Sequence, residues 1–153
     1  MFPDSPGTYI LVLRLSRPAD ITVGQLGRFE FPAGWYAYAG SAQGPGGLGA
    51  RLSRHLRSQK VLHWHIDHLR TAAEPVAIWH VHGAAKRECA WADSLSRLLG
   101  ASLPVPRFGS SDCRCPTHLV HFGAPPNAEA FAALAGERTS VATLPGGSIA
   151  GPG

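Results

Sequence analysis

Lysine is scarce in this chain. Only Lys60 and Lys86 stand among its 14 basic residues, and the rest are arginine. Charged residues of both signs make up just 16% of the 153 positions, and Asn127 is the single asparagine. Cysteine is limited to three residues, an odd number, with two in Cys113-Arg-Cys115. That count does not resemble the paired framework of a small secreted domain. No apolar run approaches the ~20 residues that a helix needs to cross a bilayer. The opening Met-Phe-Pro-Asp-Ser-Pro has no basic segment followed by an apolar one, so no secretory leader is expected and a cytoplasmic location is the default.

What the chain does contain is glycine and proline, 18 and 13 residues, which predict short elements joined by many turns. Apolar content is ordinary at 44%, and the length suits one domain with its own core. The net charge is +4 with eight histidines besides. An arginine-rich basic balance of this kind suits a partner carrying phosphate.

Taken in order, residues 7–15 are apolar on both faces and rich in β-branched and aromatic side chains, which predicts a central strand ended by Pro18. A short polar connection follows, with a strand around Arg28 to Phe31. Trp35 to Ser41 forms the second strong strand, paired antiparallel with the first. Helices are expected over 47–57, 61–71 and 86–99, with Gly100 as the C-cap of the last. Val76 to His82 and His118 to Phe122 read as strands, and 101–117 as a long loop. A small alanine-rich helix spans Asn127 to Ala135. The expected fold class is therefore α/β of the α+β kind, a small, mainly antiparallel sheet flanked by helices. Residues 1–135 form the domain, and 136–153 a flexible C-terminal tail.

Two helices carry polar groups where apolar ones are expected. With Leu48 at zero and ~100° per residue, Leu52 and Leu56 lie within ~80° of it. His55 falls at about −20° and Arg51 at about −60° on that wheel, bordering the stripe, while Arg54 and Arg57 point away. Arg51 and His55 therefore either line a cleft beside Tyr36 and Tyr38 or simply rim the helix. On the third helix, with Trp91 at zero, Leu95, Leu98 and Leu99 lie at about 40°, −20° and 80°, and Glu88 at about 60°. A carboxylate amid that stripe is either an exposed first-turn acid favoured by the helix dipole, or a metal ligand or buried ion partner at a cleft.

Two histidine clusters remain. His63, His65 and His68 share the second helix, where Asp67, four residues after His63, is placed to set that ring's tautomer. Cys113-x-Cys115-x-x-His118-x-x-His121 supplies four soft ligands in nine residues, with Cys89 in reserve. Zinc is one reading of this cluster. Thiols packing the loop against the sheet, or a redox pair, are the others.

Gly7-Thr-Tyr9 on one strand and Tyr38-Ala-Gly40 on the next resemble the paired signature of the GIY-YIG nuclease superfamily. The pattern continues with Arg51 and His55 on the following helix and Glu88 on a later one. The chain is more similar still to one branch, the domain of unknown function 123. The likeness lies in Tyr38-Ala-Gly-Ser-Ala42, Lys60-Val-Leu-His-Trp-His-Ile-Asp67, Glu88-Cys89 and Phe108-Gly-Ser-Ser-Asp-Cys-Arg-Cys-Pro-Thr-His-Leu119. It covers residues 7 to about 122, and members of that branch occur fused to endonuclease III-type repair enzymes.

The resemblance implies metal-dependent hydrolysis of a DNA phosphodiester, in a repair setting and in functional association with an endonuclease III-type enzyme, with RNA as a further candidate substrate. It implies Tyr9 as base or water-positioner, Tyr38 as an ordering group and Arg51 as the phosphate ligand. His55 would orient Tyr9 or shuttle a proton, and Glu88 would bind one Mg²⁺ or Mn²⁺. His63 or His65 would support the site. Thr8 and Ala39 replace the isoleucines of the superfamily name, and no asparagine stands near the expected metal, where Ser110, Ser111 or Asp112 is the candidate replacement. The competing readings are a nucleic-acid-binding module without catalysis and a Cys/His zinc scaffold.

Overall fold

The computed structural model describes residues 2–111 and 113–145. Its centre is β1 (Gly7–Leu15), fully flanked on both sides. β2 (Ala19–Val23) and β3 (Gly27–Phe31) form a separate two-stranded ribbon. β4 (Gly34–Ala42) returns antiparallel to β1, and α1 (Gly47–Leu56) and α2 (His65–Arg70) follow. β5 (Glu74–His82) pairs with the other side of β1. α3 (Glu88–Ser96), β6 (Leu119–Phe122), α4 (Ala128–Ala135) and β7 (Ser140–Thr143) complete the chain. The main sheet runs β6-β4-β1-β5-β7, every neighbour antiparallel, so the protein is a mixed α+β fold as its pattern predicts.

Because side chains alternate across a strand, β1 feeds two cores. Tyr9, Leu11 and Leu13 face one side, with Tyr36, Tyr38, Leu48, Leu52, Ile66, Leu69 and Phe108, so α1 and α2 cover that face. Ile10 and Val12 face the other, with Ala37, Ala39, Trp79, Trp91, Leu95 and Phe131, beneath α3 and α4. A strand buried on both sides has no polar face to show, which is why its sequence is apolar on both faces apart from Thr8 and Arg14.

Four expectations change. The second helix begins at His65 rather than 61, because the Asp67 carboxylate accepts the backbone N–H groups of His63 and Trp64, each at 2.8 Å, and closes the helix start there. Leu62 is consequently exposed. The third helix ends at Ser96 with Arg97 as its C-cap, so the angular count no longer applies at Leu99, which is fully exposed. The polar connection after Pro18 is itself a strand, β2, paired with β3. The segment expected to be a flexible tail instead carries β7, paired with β5 from Ala77 to His80. Leu144 is buried behind it, and Glu137 accepts from Trp91 Nε1 at 2.9 Å and pairs with Arg87 at 2.8 Å. The remainder of that segment, 146–153, lies outside the described residues.

Candidate functional site

β1 and β4 are in register with Tyr9 opposite Gly40, which puts Tyr9 and Tyr38 on the same face with ring centroids 6.5 Å apart. Gly40 is required by close packing: a Cβ there would overlap the Tyr9 hydroxyl and ring. At Gly7 a Cβ would meet Leu48 of α1. The glycines therefore let the tyrosines and α1 approach the sheet.

α1 lies over this pair. His55, buried, places Nε2 2.6 Å from the Tyr9 hydroxyl, and its ring also meets those of Tyr38 and Trp64. The last carbonyls of α1 hold it in place: Lys60 Nζ donates to the Arg54 and His55 carbonyls, and Arg70 to those of His55 and Leu56. Cations at a helix C-terminus satisfy carbonyls that have no partner within the helix. Arg51 donates from Nη1 to the Ser41 carbonyl at 3.1 Å, and its guanidinium lies 4.3 Å from the Trp64 ring centre. It has no carboxylate partner among the described residues, whereas Arg54 makes a two-pronged bond to Asp67 at 2.8 and 2.9 Å and covers the same indole.

Burial governs the titration of these groups. It pushes the Tyr9 phenol above its ordinary value, an effect reinforced by Tyr38 and opposed by Arg51. Tyr38 rises to about 12 for the same first reason. His55 falls to about 3 through burial and the nearby Lys60 cation, so it is a neutral imidazole at neutral pH. Burial raises Asp67 too, but bonds from Arg54 and from the Trp64 and His63 N–H groups outweigh that and bring it to about 2.

Tyr9, Tyr38, Arg51, His55 and Glu88 all line one open cavity of about 590 Å³, joined by Trp64, Gln43, Lys86 and Cys89. Glu88 stands in the first turn of α3, across the cavity from α1. Its Oε2 is buried and has no hydrogen-bond partner among the described residues. An unpaired carboxylate oxygen of this kind suits a hard divalent cation, which prefers carboxylate and water.

The supporting residues do other work. His63 is exposed and lies outside the cavity, with only its backbone N–H bound to Asp67, so Asp67 does not act on its ring. His65 Nδ1 accepts the Gly109 N–H at 2.7 Å and packs on Phe108, steadying a loop that lines the cavity. Ser111 is exposed and outside the lining, Ser110 is buried, and Asp112 lies outside the described residues. Asn127 caps α4, accepting from Ala130 at 2.9 Å. Trp64 and Arg54 were not anticipated; the sequence signal for them is two arginines three apart followed by an aromatic that two cations can cover.

The soft-ligand cluster is also rearranged. Cys113, Cys115 and His118 do converge, but the fourth member is Cys89 of α3, and all four ligand atoms lie within 4.8 Å of one another. His121 is excluded because its Nε2 bonds the Ala33 carbonyl at 2.8 Å and its Nδ1 sits 3.2 Å from Ser102 Oγ. Adjacent strand positions point to opposite faces, and His121 follows the partner pairing of Tyr36, not the direction of His118.

No helix among the described residues is long and apolar enough to cross a membrane. No curated protein and no solved structure matches the chain. The model of the family called domain of unknown function DUF123 matches residues 8–140, and the chain belongs to that family.

Proposed function

We propose that this protein is a metal-dependent endonuclease of the GIY-YIG type that hydrolyses DNA phosphodiesters, in a DNA repair setting. The observation that carries the reading is convergence: a hydrogen-bonded Tyr9–His55 pair, a guanidinium with no carboxylate partner and a buried carboxylate oxygen with no hydrogen-bond partner, both among the described residues, face the same cavity.

Hydrolysis needs a deprotonated water, a neutralised phosphate and a stabilised leaving oxygen. Arg51 supplies the second, since the fork of N–H groups not used on Ser41 suits phosphate oxygens better than an ammonium does. Trp64 holds the guanidinium plane while it does so. Tyr9 supplies the first with His55. Burial disfavours a free phenolate, so the water proton passes to the Tyr9 oxygen as the Tyr9 proton passes to Nε2 of neutral His55. Burial makes that imidazolium short-lived, and its proton returns through the Tyr9 oxygen to solvent once the phosphodiester is cut. Tyr38 remains a neutral phenol forming the wall. Glu88 would hold a magnesium or manganese ion, and that ion, when bound, supplies charge neutralisation at the phosphate and leaving oxygen.

One observation favours a second reading, a nucleic-acid-binding module without cleavage: Asn127 is occupied as the cap of α4 and contributes nothing to the cavity. Labelled branched, flapped, abasic and plain duplex DNAs, incubated with Mg²⁺ or Mn²⁺, separate the two. The nuclease reading expects cutting that falls roughly a hundredfold or more in Tyr9→Phe, as for loss of a general base. Arg51→Ala and Glu88→Ala should abolish it. Salt-sensitive binding without cutting selects the second reading. Neither cutting nor binding overturns both.

A further inference from the structure

We propose that Cys89, Cys113, Cys115 and His118 form a structural zinc site that ties α3 to the 101–117 loop and to the start of β6. The four ligand atoms come from three separate parts of the fold yet lie within 4.8 Å of one another. His118 Nε2 is 3.3 Å from Cys113 Sγ and 3.7 Å from Cys89 Sγ. A tetrahedral zinc with Zn–S near ~2.3 Å and Zn–N near ~2.0 Å sets its ligands roughly 3.5–3.8 Å apart, which these separations approach. An iron–sulfur cluster places its own sulfides between the ligated irons and needs cysteines spread more widely. All three cysteines are free thiols, so no disulfide explains why they meet. Three thiols and an imidazole crowded together without a cation gain little from one another. Zinc gives them a common partner.

The surroundings prepare the site. Arg107 takes the left-handed conformation, φ 64°, and its guanidinium donates to the carbonyls of Ser110, Cys113 and Cys115. One side chain thus curls the loop so that both of its sulfurs face His118 and Cys89. The His118 backbone is held in turn by Phe108 and Ala39. Three thiolates and one imidazole fill four tetrahedral positions and leave none for water, which marks the site as structural. Binding replaces three S–H protons, released to solvent, with three Zn–S bonds and adds one Zn–N bond. Cys89 directly follows Glu88, and Cys89, Cys113 and His118 line the main cavity, so the ion fixes the wall that carries Glu88. The zinc assignment stands whether or not the cavity cleaves DNA.

The test uses the full chain, purified with zinc in the medium and passed over a desalting column with EDTA. Metal content and the visible spectrum after cobalt substitution are read. A single zinc per chain, with tetrahedral cobalt bands and thiolate-to-cobalt charge transfer, is expected. Cys115→Ser should lose the metal and the charge-transfer band. His121→Ala and Glu88→Gln should retain both, separating this site from the hard-cation position at Glu88. Substoichiometric zinc with an octahedral cobalt spectrum overturns the proposal, as does full loading of Cys115→Ser. Should Cys115→Ser not fold, the wild-type cobalt spectrum and the His121→Ala loading decide the question alone.

Discussion

Acid should weaken this protein through one histidine. The unfolded chain binds a proton at His55 near pH 6.5, but the folded chain refuses it until about pH 3, because burial and the Lys60, Arg51 and Arg54 cations disfavour the imidazolium. Between those values the unfolded state holds more protons, so stability falls as pH falls. Integrating the linkage from pH 7 to pH 5 gives a loss of about 2 kcal/mol from this side chain. Burial likewise lowers His65 and His80, which adds to the same trend in any variant that keeps them. The comparison that isolates His55 is therefore His55→Gln, whose amide does not titrate and can still accept from Tyr9. Urea denaturation of both proteins at pH 7, 6 and 5 should show wild type losing about 2 kcal/mol more than the variant over that range. Parallel profiles would refute the placement of a neutral, buried imidazole against Tyr9.

Other substitutions probe the supports of the same site. Gly40→Ala puts a methyl group into the Tyr9 ring and should cost about 1–3 kcal/mol in denaturant unfolding, together with any nuclease activity. Asp67→Ala strands Arg54 and two backbone N–H groups and should destabilise by about 3 kcal/mol. Because Asp67 titrates at about 2 rather than 3.8 in the folded chain, that difference should be full above pH 3.8 and shrink as pH falls through 2. Truncation after Gly136 removes β7, Leu144 and the Glu137 bonds, and should lower the melting temperature by several degrees, read by circular dichroism.

Local pattern was sufficient wherever a residue's role depends on its neighbours in sequence. The apolar run from Tyr9 to Leu13 in β1 announces a strand covered on both faces. The spacing of Leu48, Leu52 and His55 sets His55 at the border of the apolar stripe of α1, where the structure buries it, and the Asn127 cap and α4 lie where the alanine run indicates. The order Tyr9, Tyr38, Arg51, His55, Glu88 is likewise readable along the chain, and all five line one cavity.

What sequence could not supply were the meetings between distant elements. The direction of Asp67, which binds Arg54 and shortens α2, depends on how α1 packs beside it. The choice of Cys89 over His121 depends on α3 lying against β4 and β6 while strand alternation turns His121 toward Tyr36. The chain after Ala135 becomes β7 because the open edge of β5 offers it hydrogen bonds, and nothing in its composition signals that partner. Periodicity follows from bond geometry and is written in the sequence. Convergence follows from packing and arises only when the sheet and its helices close on one another.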